Sequence, residues 1–184
     1  MHGRREYGRR AFTLIELLIV MAIIIVLAGL VIATSGYVQE KSKRSRAEAE
    51  IAAMSAALES YKADNGIYPT NPDTERLNPT SPAPNDYAPA SAYLYELLAG
   101  DLGRDRTIEN KTYFSFKPNM LLPPPPSTNA VTAIRDPFGN PYGYSTMKAT
   151  ATNPATAGGY NPTFDLWSTA GDDGTNQAKW IKNW

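Results

Sequence analysis

The sequence predicts an α+β fold: a long N-terminal helix packed on a small antiparallel β-sheet, with a loop-rich C-terminal region. Three observations carry that prediction. Residues 12–33 form a near-continuous apolar run that holds one charge, Glu16. Residues 47–61 then keep apolar side chains at helical spacing. Beyond residue 65 prolines and glycines accumulate, and short alternating segments read as strands.

Leu17 to Ala33 is 17 residues without a charge, about 26 Å as a helix, so with Phe12 to Ile15 it nearly crosses a hydrocarbon core of about 30 Å. It reads as a membrane segment. A carboxylate near its end is costly in lipid unless it snorkels or finds a partner, by about 1 to 3 kcal/mol, so Glu16 asks for a function. Arg4, Arg5, Arg9 and Arg10 precede the segment and Lys41, Lys43, Arg44 and Arg46 follow it, so loop charge alone does not orient it.

The helix is expected to continue to Asp64. Ala47, Ile51, Met54, Leu58 and Tyr61 form one stripe, expected to lie under a sheet, with a coiled-coil partner as the alternative. Asn65-Gly66 supplies a stop and Pro69 prevents resumption. Residues 69–90 contain six prolines and read as a long loop. Ser91–Leu102 reads as a short helix stopped near Gly100, Tyr113–Lys117 as a strand, and Pro123–Pro126 as a polyproline-like spacer. Asp136 to Tyr142, DPFGNPY, is a turn sequence. Gly143–Met147 and Thr163–Ser168 read as strands separated by the polar insertion 148–162, and Trp167, Trp180 and Trp184 are expected to pack the core or the sheet edge.

The chemistry available is narrow. His2 is the only histidine and there is no cysteine, so residues 12–184 hold no Ser-His-Asp, Cys-His or zinc constellation and no disulfide. Asp172 and Asp173 are neighbours in a glycine-flanked turn and do not face one another across a substrate. Enzymatic activity is not expected. Without residues 1–11 the chain has 14 basic and 17 acidic groups, which argues against nucleic acid as a partner.

Ala11-Phe12-Thr13-Leu14-Ile15-Glu16, behind a basic leader and before the apolar run, resembles the class III signal of type IV pilins and type II secretion pseudopilins. Asn65-Gly66-Ile67-Tyr68-Pro69-Thr70, DPFGNPYGY from Asp136, FDLWSTAGDDG from Phe164 and the closing Asn183-Trp184 resemble the G-type, or major, pseudopilins. The resemblance covers residues 9–70 and 136–184, and residues 71–135 do not match it well and are longer than in typical members. It implies a pilin-like fold with a cleaved basic leader (1–11), a transmembrane and filament-core helix (12–36), the amphipathic half of the same helix (37–65) and a globular periplasmic domain (66–184).

It further implies that a prepilin peptidase cuts between Ala11 and Phe12 and that the new Phe12 amine is N-methylated. Ala11 stands where the family has glycine. Glu16 takes the position of the family's assembly glutamate, which meets the Phe12 amine of a neighbouring subunit. Two opposite charges that are each costly in lipid become less so together. Ala33 stands where many members have a proline that loosens the helix, and Gly29 and Gly36 weaken it instead, by about 1 kcal/mol each.

The implied function is that of a structural subunit of a type II secretion pseudopilus, a homo-oligomeric helical filament grown from the inner membrane that drives protein export. The implied partners are prepilin peptidase, an inner-membrane assembly platform and minor pseudopilins. The implied location is a single pass of the inner membrane with the C-terminal domain in the periplasm. The alternative is a type IV pilin or minor pilin for adhesion, motility or DNA uptake.

In the same family the loop after the last main strand holds one calcium ion. The matching residues here are Asp165, Asp172 and Asp173, with oxygens from Leu166, Ser168 and Asn176, and hard oxygen donors suit that ion. The family's second acidic cluster is replaced by Asn176-Gln177. A hairpin turn with solvated aspartates is the other reading of these residues.

Overall fold

A computed structural model describes residues 12–79 and 84–184, with the side chains of 31–35, 84 and 85 outside the description. The chain divides into two compact units, Met1–Lys41 and Ser42–Trp184. Helix α1, Leu14–Asn65, supplies the helical residues of the first and the opening element of the second.

In the first unit the described large apolar side chains are all exposed, from Phe12 and Leu14 to Leu30. In the second unit α1 turns amphipathic. Ala47, Ile51, Met54 and Leu58 are buried, as their spacing predicts, and Ala57 joins them. Tyr61 packs edge-on to Tyr113 at 5.2 Å. The helix ends one residue beyond the expected Asp64: Gly66 takes a positive φ of 81° and donates its N–H to the Lys62 carbonyl at 2.7 Å.

The predicted loop 69–90 is more ordered than its prolines suggest. A short helix α2, Pro72–Arg76, sits inside it, and α3, Ala88–Ala99, starts before the expected Ser91. The cause is local. The Asn71 side chain accepts the N–H groups of Asp73 and Thr74, Thr74 answers through its hydroxyl, and Pro72 is placed where a helix needs no N–H. Gly100 closes α3 in the left-handed conformation, and a side chain there would meet the Asn110 carbonyl at 2.5 Å.

The expected strand at Tyr113–Lys117 does not form. The Tyr113 and Phe114 N–H groups both donate to the Leu98 carbonyl, at 2.8 and 2.9 Å, so the segment caps α3 instead of joining a ladder. Phe114 and Phe116 pack edge-to-face at 4.6 Å. The strands of this region are β1, Leu121–Leu122, and β2, Ala133–Ile134, an antiparallel pair flanking the proline run, whose Leu122–Pro123 and Pro125–Pro126 bonds are cis.

A second sheet has the order β3-β4-β5: β3 is Gly143–Ser145, β4 Asp165–Ser168 and β5 Ile181–Lys182, all antiparallel. The predicted strands at 143–147 and 163–168 are present in shortened form. The insertion between them opens with a single turn, α4, Met147–Thr150. Every residue of β3 and β4 is buried. Gly143 lies opposite Trp167 across the ladder, and the indole covers the space that a side chain at 143 would occupy. Trp167 and Trp180 are buried with parallel rings 6.1 Å apart, and Trp184 stacks on Tyr160 at 4.5 Å.

Polar contacts tie α1 to the rest of this unit. The buried Tyr142 donates its hydroxyl to Glu50 at 2.7 Å, and Arg46 holds the other Glu50 oxygen at 2.7 Å. Arg44 donates to the Lys179 carbonyl at 2.9 Å, and Asp64 pairs with Lys111.

Candidate assembly site and C-terminal loop

The described N-terminal site is built by Phe12, Thr13 and Glu16. Phe12 is 86% exposed. Thr13 and Glu16 form a reciprocal cap on α1: the Glu16 N–H donates to Thr13 Oγ1 at 3.2 Å, while Glu16 Oε2 accepts the Thr13 N–H and hydroxyl, both at 3.0 Å. This is a capping box, which satisfies two of the helix's free donors and places the carboxylate at the positive end of its dipole. The Thr-x-x-Glu spacing was present in the sequence as the signal for it. Ala11, the other residue of the expected processing site, lies outside the described residues.

Below this cap the exposed apolar side chains leave no polar face. Leu17, Leu18, Ile19, Val20 and Met21 each lie more than half exposed, and as consecutive residues they are turned about 100° from one another, right around the helix. A helix apolar all round belongs in lipid or inside an assembly. Among the described residues no helix is long and apolar enough to cross a membrane. The stretch 14–30, whose side chains are described, comes to about 25 Å, short of a hydrocarbon core by about 5 Å.

The C-terminal site begins at the turn Asp136 to Tyr142. Asp136 is buried; its Oδ1 accepts the N–H groups of Phe138, Gly139 and Asn140 at 2.8 to 2.9 Å, and its Oδ2 accepts the Ser168 hydroxyl at 2.5 Å. One carboxylate therefore shapes the turn and fastens it to β4. Losing all four bonds in Asp136→Ala is expected to cost about 3 kcal/mol.

Burial pushes the Asp136 carboxyl above the ordinary carboxylate range, against the Ser168 and amide hydrogen bonds. The protonated form thus contributes stability that is fully present below the ordinary carboxylate pKa and is lost as pH rises through the folded-state value. Asp136→Asn keeps an acceptor and does not titrate. The gap in melting temperature between parent and Asp136→Asn is therefore expected to be widest in acid and to narrow toward neutral pH. A gap independent of pH would refute this.

Of the six residues expected around calcium, Asp172, Asp173 and Asn176 share the loop after β4, where the Asn176 N–H donates to Asp172. Asp165, the first residue of β4, serves another loop, where its two oxygens accept the N–H groups of Tyr160 and Asn161, each at 2.8 Å. Burial holds its carboxyl above the usual range. The Leu166 carbonyl accepts the Asn183 N–H at 3.2 Å, and Ser168 is committed to Asp136. Asp172 Oδ1 accepts the N–H groups of Gly174 and Asn176 at 3.0 and 2.9 Å. Asp173 bonds the Thr175 hydroxyl and N–H, which hold its carboxyl below the usual range. The Asn176 side chain caps the turn at 177–179 through the Ala178 N–H.

Asn140 and Lys179 were not anticipated as loop residues. Asn140 Nδ2 bridges Thr169 Oγ1 at 2.8 Å and the Asp172 carbonyl at 3.3 Å, and Lys179 Nζ lies 3.8 Å from Asp172 Oδ2. Among the described residues no group of three or more histidine, cysteine or acidic side chains is placed to hold a metal ion.

Two family profiles match the chain: the prokaryotic N-terminal methylation motif over residues 7–32, and type II secretion system (T2SS), protein G, over residues 36–104. The chain is 34% identical to the type II secretion system core protein G of Pectobacterium carotovorum subsp. carotovorum over 113 residues, which cover 59% of this chain and 72% of that protein. It is 37% identical to the protein of that name from Escherichia coli (strain K12) over 105 residues, 55% of this chain and 72% of that one. The protein of that name from Vibrio cholerae serotype O1 is 35% identical over 105 residues, 55% and 69%. No solved structure gives a significant match.

Proposed function

Because this chain belongs to the type II secretion system core protein G family, and so is a structural subunit of a pseudopilus, we propose that it polymerises through its N-terminal helix into a periplasmic filament that drives protein export. The observation that carries this reading is the helix of residues 14–30, apolar on every face and headed by one carboxylate, joined in sequence to a domain with its own core. Before assembly the helix anchors the subunit in the inner membrane, and after assembly the same apolar surface packs against its copies. Prepilin peptidase, an inner-membrane assembly platform and minor pseudopilins are the partners this requires. The chain acts as a mechanical part and not as a catalyst.

Thr13 and Glu16 give the assembly step a physical form. In the free subunit the carboxylate is held by the Thr13 N–H and hydroxyl. Cleavage before Phe12 creates an ammonium one residue from Thr13. When subunits meet, Glu16 exchanges its cap for the Phe12 ammonium of the next copy, so both charges leave lipid as a pair.

Mass spectrometry of the protein recovered from membranes, together with electron microscopy of sheared filaments, tests the proposal. The expected result is a chain beginning at methylated Phe12 and filaments containing it. A chain still beginning at Met1, or one cut beyond Ala33, would overturn it.

A further inference from the structure

We infer that the C-terminal loop of this chain, residues 169–180, is closed without a metal ion, and that the Lys179 ammonium occupies the charge position beside Asp172 that a divalent cation would take. Calcium requires six to eight oxygen ligands. Each candidate side chain already accepts hydrogen bonds within the domain. Asp165 serves residues 160 and 161, Asp173 serves Thr175, and Asn176 serves Ala178. The Thr169 carbonyl accepts the Asp172 N–H at 3.0 Å, and the Asp172 carbonyl accepts Asn140.

Asp172 Oδ2 is turned toward a cation, the Lys179 ammonium. The Asp172 side chain is 9% exposed, so a positive partner matters more here than at an open surface. Lys179 is held in register from the other side, where its carbonyl accepts the Arg44 guanidinium of α1. An ammonium 3.8 Å from the carboxylate repels a divalent ion from the same oxygen. The loop is thus stapled by side-chain to backbone hydrogen bonds, with one lysine as the counter-charge. This inference concerns the stability of the domain and stands apart from the filament reading.

The test is thermal unfolding of the full chain in detergent, followed by tryptophan fluorescence, in chelator and in millimolar calcium. The parent melting temperature is expected to differ by less than about 1 °C between the two, since an ion that does not bind the native state adds no stability. Lys179→Asp, which replaces the ammonium with a second carboxylate facing Asp172, is expected to melt lower in chelator and to gain about 5 °C with calcium. A comparable calcium gain in the parent would overturn the inference. A Lys179→Asp chain that does not respond to calcium would overturn the assignment of Lys179 to the cation's position. A terbium titration of the parent covers the case in which that variant does not fold. Terbium bound in this loop would give emission sensitised by Trp180, so its absence is expected and a saturable signal would refute the inference.

Discussion

Glu16→Ala chains are expected to reach the membrane in normal amount and to yield no filaments. On the proposed assembly step, removing the carboxylate leaves the Phe12 ammonium unpaired wherever the filament buries it. That costs about 2 to 4 kcal/mol per added subunit, or roughly 30-fold to 1,000-fold in each addition step. The lost cap adds about 1 kcal/mol at the helix start. The two contributions separate in Glu16→Gln, since glutamine also completes a capping box but carries no charge. If charge pairing governs assembly, Glu16→Gln fails as fully as Glu16→Ala; if Glu16→Gln forms filaments at the parental level, the cap is the feature that matters. Thr13→Val supplies the converse, keeping the charge while removing the hydroxyl. Filament yield by electron microscopy, normalised to membrane-bound subunit, reads all three.

The largest loss of domain stability is expected at Gly143. A methyl group added there would occupy the position of the Trp167 indole, which is fully buried between Tyr87, Trp180 and the partly buried Trp184. Trp167 is fully buried and ringed by these aromatics, so the ladder at Gly143 and Trp167 is expected to open. Gly143→Ala is expected to cost about 3 kcal/mol or more, lowering the melting temperature by about 10 °C. Gly139→Ala is the useful comparison. No atom lies within 4 Å of its added methyl, so its cost comes from the positive φ of 111° alone. Equal losses at the two glycines would show that crowding against Trp167 is not the cause.

Much of this architecture was legible because it is periodic. The apolar stripe of Ala47, Ile51, Met54 and Leu58 reports the buried face of α1 directly, and Asn65-Gly66 reports its end. The turn at Asp136 was legible from its residues, although the single carboxylate that organises it was not, because four partners converge on it only after β4 is in place. The misassigned strand at 113–117 has a similar origin. Alternating aromatics suit a sheet, but here the backbone satisfies the end of α3, and the rings pack against one another. Proline count concealed α2, whose Asn-Pro start is a helix signal as well as a loop signal. At the C-terminal loop the acidic residues were visible, but their directions were not. Asp165 and Asp172 are seven positions apart and bond different turns, a matter of strand geometry that spacing does not reveal.

The ties between α1 and the domain have a mechanical consequence. Arg44, Glu50 and Asp64 each hold a different part of the fold, with the apolar stripe between them, so the attachments are spread over about 30 Å of helix. A force along the helix axis loads these attachments together, in shear, instead of opening them one after another as in unzipping. The domain therefore resists being stripped from its helix with the sum of its contacts, and a rod built from such subunits can bear thrust without shedding them.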